Sequence, residues 1–245
     1  MAQLLRHEHT KTCAIAWGRT VASLIEALPQ PRVRRKGLKF VPVAGEPLEI
    51  PVGGVSPTRA AQLLAEKFVD DQDTGYYVLN GVASRIPKRM EANANIIREF
   101  VSGFKDYGII FDSDSPLMAN VDMIITGIGN ALSSRDDPWF NETKNLEDID
   151  DLEAFAVGNI GGVLLPRDRY NPEHCKRVDE INGRWLGIQK DHFQKAAERA
   201  APGVVLVAVE PEKAPIVAQA IGMVNHLIID QQLANALIDL ELESR

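Results

Sequence analysis

Short apolar runs alternate with helical patterns along the chain. The runs are Cys13–Trp17 (CAIAW), Leu38–Gly45 (LKFVPVAG), Tyr76–Asn80 (YYVLN), Gly108–Asp112 (GIIFD), Val121–Gly129 (VDMIITGIG), Gly161–Pro166 (GGVLLP), Gly203–Val209 (GVVLVAV) and His226–Asp230 (HLIID). Several are apolar on both faces, as parallel strands covered on both sides tend to be. Between them, Val21, Leu24, Ile25 and Leu28 recur at helical spacing and share one face. Leu63, Leu64 and Phe68 do the same behind Ser56-Pro57, an N-cap followed by a proline at the first helical position. Pro87 opens a helix whose apolar face holds Ile96, Ile97, Phe100, Val101 and Phe104, and a last helix after Asp230 carries Leu233, Leu237 and Leu240. This alternation predicts an α/β fold with a mainly parallel sheet. The longest polar stretch, Ser133–Asp151, reads as a solvated insertion or a lid.

The totals narrow the function class. The 245 residues suffice for one large domain or two small ones, and a formal charge of -7 opposes sequence-general nucleic-acid binding. Two cysteines, Cys13 and Cys175, are too few for a disulfide framework and favour a reducing compartment. The N-terminus lacks the apolar core of a signal peptide, and no apolar stretch approaches the roughly 20 residues of a membrane helix. The expectation is a cytoplasmic protein with no membrane contact.

Three turns at predicted strand ends could carry chemistry, because open α/β sheets bind ligands at the carboxyl ends of their strands. The first is Gly18-Arg19-Thr20. A helix start offers free N–H groups and partial positive charge, to which Arg19 adds a cation and Thr20 a hydroxyl, a setting for a phosphate. The second is Gly127–Ser134 (GIGNALSS), where two glycines precede Asn130, Ser133 and Ser134; it is neither a dinucleotide fingerprint nor a phosphate loop. In the third, Lys213 stands in the first turn of a helix, where a cation is out of place. An anionic ligand, or pairing with Glu210 or Glu212, would account for it. His7-Glu8-His9 and His174-Cys175 lack the partners a metal centre needs, so neither metal nor cofactor is expected.

Together these segments resemble the effector-binding domain of the SorC/DeoR-type bacterial sugar-responsive transcriptional regulators. The resemblance rests on AIAWGRTVASLIEALP (14–29), VDMIITGIG (121–129), AVGNIGG (156–162) and the stretch from Glu212 to Leu240, in that order over nearly the whole chain. It implies a Rossmann-like three-layer sheet, similar to sugar-phosphate isomerases and CoA-transferases, with room for a small subdomain. It also implies a phosphorylated sugar or polyol as effector and a homo-oligomer, dimer or tetramer. Operator DNA would be reached only through a helix-turn-helix domain that precedes this domain in the family. The expectation is that residues 1–245 are effector domain throughout, without that reader.

Carried over position by position, the family's phosphate turn falls on Gly18 and Thr20 and its glycine pair on Gly127 and Gly129. Asp122, Lys213 and Asp230 match further family positions. The resulting ligand-binding set is Gly18, Arg19, Thr20, Ser56, Arg59, Gly127, Gly129, Asn130, Asn159 and Lys213, with sugar hydroxyls meeting Ser56, Arg59, Asn130 or Asn159. Three departures stand out. Val209 and Glu210 replace two glycines, Asn159 replaces an acid, and YYVLNGVAS lacks a proline.

No catalytic residues are expected, and the leading reading is binding without turnover. The alternative is a sugar-phosphate isomerase or deaminase with Asp136, Asp137 or Glu142 as base, although Asn130-Ala131-Leu132 replaces the deaminases' Asp-Gly-His. A third reading is an interaction protein with a degenerate pocket.

Overall fold

The computed structural model describes residues 1–46, 53–70, 74–131, 138–199 and 202–243. The strands are β1 (Thr12–Ile15), β2 (Lys39–Pro42), β3 (Met123–Thr126), β4 (Ile128–Asn130), β5 (Ala156–Ile160), β6 (Val163–Pro166), β7 (Gly203–Ala208) and β8 (His226–Ile229). The α-helices are α1 (Ala2–Arg6), α2 (Arg19–Ala27), α3 (Pro57–Phe68), α4 (Ala94–Ser102), α5 (Lys105–Tyr107), α6 (Pro138–Glu147), α7 (Leu152–Phe155), α8 (Pro172–Asn182), α9 (Lys190–Ala197), α10 (Ala214–Ala220) and α11 (Gln231–Glu243).

The main sheet runs β2-β1-β3-β7-β8, all parallel. Its central strands are buried on both faces, and alternate residues serve opposite cores. Ala14, Ile124, Val204 and Leu206 join one apolar cluster, while Cys13, Ile15, Met123, Ile125, Val205 and Val207 join the other. Val21 and Ile25 of α2 and Leu64 and Phe68 of α3 cover the second of these faces. Phe193 of α9 and Ile216 of α10 cover the first, together with the antiparallel sheet β4-β5-β6. That is the expected α/β architecture with a mainly parallel sheet, and the small second sheet shares its apolar core with the main one.

β1 has β2 on one side and β3 on the other, so the winding direction reverses between β1 and β3. A crevice opens at the carboxyl ends of strands at such a switch point.

Several local readings need correction. Gly108–Asp112 forms a π-helical turn rather than a strand, with Ile110 buried. A four-residue apolar run has the same signature in both states. Tyr76–Asn80 makes only a single bridge, Phe40 to Tyr76. Side chains take the place of a ladder there, since Val78 N donates to Asp106 Oδ2 at 2.8 Å and Leu79 N to Thr58 Oγ1 at 3.2 Å. Val121–Gly129 divides into β3 and β4, which belong to different sheets. After Pro87 a 3-10 turn, Lys88–Asn93, precedes α4, and Ile96, Phe100 and Phe104 face outward.

The polar stretch is largely structured. Residues 138–147 form α6, which buries Trp139, Phe140, Thr143 and Glu147, while Ser133, Ser134, Arg135, Asp136 and Asp137 lie outside the described residues. The inward face of α6 is hard to see in the sequence because two of its four buried residues are polar.

Candidate functional site

A cavity of about 310 Å³ sits at the switch point, where the turns after β1, β3 and β7 meet. From the first turn come Ala16, Trp17, Gly18, Arg19 and Thr20; from the second, Gly127, with Ile128, Gly129 and Asn130 of the adjoining strand β4; from the third, Glu210 and Lys213. Asn159 and Gly161 reach it from β5 and the turn beyond, and Trp139 from α6.

Gly18 is the N-cap of α2, at φ +107°, and brings no capping side chain. An L-residue is strained at that φ. The first turn of α2 therefore presents backbone donors at the cavity without a side-chain acceptor of its own. Gly18 N itself donates to Val55 O at 3.0 Å. Arg19 is exposed beside this helix start.

Lys213 closes a 3-10 turn, Pro211–Lys213, just ahead of α10. Its side chain is 14% exposed, and its Nζ lies 3.2 Å from Glu210 Oε2. The sequence-level alternative for Lys213, pairing with Glu210, is thus realised, inside the cavity. Glu210 holds φ +84°, and its N–H donates to Asp230 Oδ2 at 3.1 Å. Asp230 Oδ1 also accepts from Leu233 N at 2.7 Å, at the start of α11. Those backbone donors, Leu233 first and then Glu210, hold the Asp230 carboxyl below its ordinary range.

The far wall is aromatic. Trp17, Trp139 and Trp185, all the tryptophans of the chain, form one cluster with ring centroids 6.0 to 6.4 Å apart. The Arg85 guanidinium stacks 5.7 Å from the Trp139 ring and 5.5 Å from Trp185. Behind the amides, Asn159 Oδ1 accepts from Gly162 N at 3.1 Å across the tight turn between β5 and β6.

Eight of the ten residues expected in the binding set line this cavity: Gly18, Arg19, Thr20, Gly127, Gly129, Asn130, Asn159 and Lys213. Ser56 and Arg59 are not among its lining residues. Ser56 Oγ caps α3, accepting from Arg59 N at 3.2 Å, and the Arg59 side chain pairs with Glu66 at 3.5 Å. The aspartate carried over from the resemblance, Asp122, is at the opposite end of the sheet. Its Oδ2 accepts from Lys11 N and Thr12 N, both at 2.9 Å, and staples β1 to the entrance of β3.

Of the bases considered for an enzyme, Glu142 accepts from Ser84 Oγ at 3.0 Å and is not among the lining residues. Asp136 and Asp137 lie outside the described residues. Sequence reasoning missed the tryptophans, since nothing local links Trp17 to Trp139. Trp17's position directly before Gly18 was the one available signal.

No protein-family model matches the sequence, and a search of curated proteins returns no match. Solved structures do match. The full-length sorbitol operon regulator SorC from Klebsiella pneumoniae aligns with a TM-score of 0.71 at 19% identity, over 97% of this chain and 70% of that one. A DeoR family transcriptional regulator from Listeria monocytogenes aligns at 0.64 and 18%, over 96% and 81%. A structure described as the sugar-binding domain of a transcriptional repressor from Vibrio fischeri aligns at 0.61 and 16%, over 98% and 84%. The chain has the fold of the SorC/DeoR sugar-binding domains. The similarity spans nearly all of it, as the sequence resemblance implied.

Proposed function

We propose that this chain is the effector-sensing domain of a transcriptional regulator and that its cavity binds a phosphorylated sugar or polyol without turning it over. One observation carries the reading. Turns from three parallel strands converge at the switch point on a helix start that no side chain caps, with Arg19, Thr20 and Lys213 around it. The phosphate would lie on the Gly18–Thr20 start of α2, drawn by its N–H groups and the two cations. Hydroxyls would meet the amides of Asn130 and Asn159, and the ring would lie against Trp17 and Trp139. The fold shared with SorC- and DeoR-type regulators supports this choice over an enzyme.

In this reading the domain works in the cytoplasm as a homo-oligomer, and operator DNA is gripped by a helix-turn-helix domain outside residues 1–245. Among the described residues, no helix is long and apolar enough to cross a membrane.

Thermal shift against phosphorylated sugars and polyols, with their unphosphorylated partners as controls, tests the proposal. At a hundred times its Kd, a ligand specific for the folded state adds about 2.7 kcal/mol. For a chain of this size that raises Tm by roughly 5 to 10 °C. The shift should require the phosphate and vanish in the Thr20→Ala, Lys213→Ala double variant. Incubation of the hit should return it unchanged, and product formation would favour the enzyme reading instead.

A further inference from the structure

The cavity already contains an anion. Glu210 Oε2 sits 3.2 Å from Lys213 Nζ, the lysine is largely covered, and the glutamate is 60% exposed, so the carboxylate stands on the solvent side of the ammonium. Both residues line the cavity. The backbone of Glu210 is held in place, while its side chain is anchored by Lys213. The Glu210 backbone is pinned by its N–H bond to Asp230, which in turn caps the start of α11. Glu210 also keeps a φ of +84° that glycine would adopt without strain. A strained residue maintained at the lip of a ligand cavity points to a role for its side chain.

The start of α2 and the Glu210–Lys213 pair line the same cavity, so a phosphate held there would compete with the carboxylate for the ammonium. Two anions cannot share that ammonium without repulsion, and the partly covered site weakens screening. We propose that Glu210 sets the affinity of this site: its carboxylate is the internal counter-ion of Lys213, and an anionic ligand binds by displacing it. Binding is then an exchange of one anion for another. The ligand must offer Lys213 more than a carboxylate does, which favours dianionic phosphate monoesters over monoanionic carboxylates. The proposal rests on the reading of the cavity as an anion site.

The test is equilibrium dialysis with labelled inorganic phosphate at constant ionic strength, on the wild-type chain and three variants. Glu210→Gln keeps the shape and removes the competing charge, and it should tighten phosphate binding about tenfold, equivalent to about 1.4 kcal/mol. Glu212→Gln makes the same change in net charge two residues along, on an exposed side chain outside the lining, and should stay within about twofold of wild type. Lys213→Ala should weaken binding. If Glu210→Gln binds phosphate no tighter than wild type while Lys213→Ala binds it worse, the anion site stands and the exchange is overturned. If Glu212→Gln tightens binding as much as Glu210→Gln, a general field explains the gain and the proposal fails. If neither wild type nor Glu210→Gln takes up phosphate, the anion site falls and the exchange falls with it.

Discussion

The carboxylate of Glu147 receives the guanidinium of Arg85 at 3.2 Å, with both side chains almost wholly out of water. Arg184 bonds the same carboxylate and also reaches Glu91. Burial pulls the Arg85 guanidinium below its ordinary range, and Glu147 is the main force holding it charged. Since Arg85 also stacks on Trp139 and Trp185, the network fixes the aromatic wall behind the cavity. Truncating one partner leaves a buried charge uncompensated, so Glu147→Ala should destabilise the fold by about 3–5 kcal/mol. Breaking the exposed Lys176–Glu180 pair should cost no more than about 0.5 kcal/mol. Urea unfolding of the two variants checks both figures, and equal midpoints would show that the buried network contributes nothing special.

Glu210 offers a second measurement, on stability rather than binding. Replacing it with Gly or Ala removes the same carboxylate, but only Gly relaxes the backbone at φ +84°. Strain of this kind is worth about 1–3 kcal/mol. Glycine's greater freedom in the unfolded chain returns about 0.5–1 kcal/mol of that. Glu210→Gly should therefore be more stable than Glu210→Ala by about 1 kcal/mol, a Tm difference of roughly 2–4 °C. An Ala variant as stable as the Gly variant would show that the turn relaxes without strain.

Which features could be read in the sequence follows from how far their causes extend along the chain. β1, β3 and β7 are legible because strands covered on both faces must be apolar throughout. α3 is legible because Ser56 and Pro57 signal its start within two positions. Gly18, Thr20 and Lys213 could be gathered into one site because each follows a strand of a parallel sheet, whose carboxyl ends all point one way. Trp139 escaped because its neighbours Trp17 and Trp185 come from distant segments. α6 was obscured because Glu147 faces inward only where Arg85 and Arg184 meet it, a tertiary cause with no local trace. Ser56 and Arg59 were drawn into the expected site by type, whereas the local geometry engages one in a helix cap and the other in an ion pair.

Gly162 tests how tightly the aromatic wall is packed. It lies in the turn between β5 and β6 at φ +88°, and a Cβ there would stand 2.2 Å from Trp185 Cζ2 and 2.9 Å from Trp17 Cη2. Both rings would have to move, and an overpacked core typically costs about 1–3 kcal/mol before the unfavourable φ is added. Gly162→Ala should lower the urea midpoint and change the tryptophan emission spectrum, because the displaced rings are two of the chain's three tryptophans. An unchanged spectrum with unchanged stability would mean that the cluster yields easily, and the cavity wall would then be soft.

His192 makes stability depend on pH. Its imidazole is 16% exposed, and burial lowers its pKa below the ordinary histidine value, against the pull of Asp191. Its Nδ1 accepts a hydrogen bond from Gln189 N at 2.9 Å at the start of α9, which requires that nitrogen to be unprotonated. The folded state therefore binds this proton less readily than the unfolded chain, in which the group titrates near pH 6.5. Stability supplied by the neutral ring is complete above pH 6.5 and is lost as pH falls toward the depressed folded value, with a limiting slope of about 1.4 kcal/mol per pH unit for one proton. His192→Asn keeps an acceptor for Gln189 N but cannot titrate, so its stability should vary less with pH between 7 and 5 than that of wild type. Denaturant unfolding across that range checks it. Parallel curves for the two proteins would assign the pH dependence to other groups.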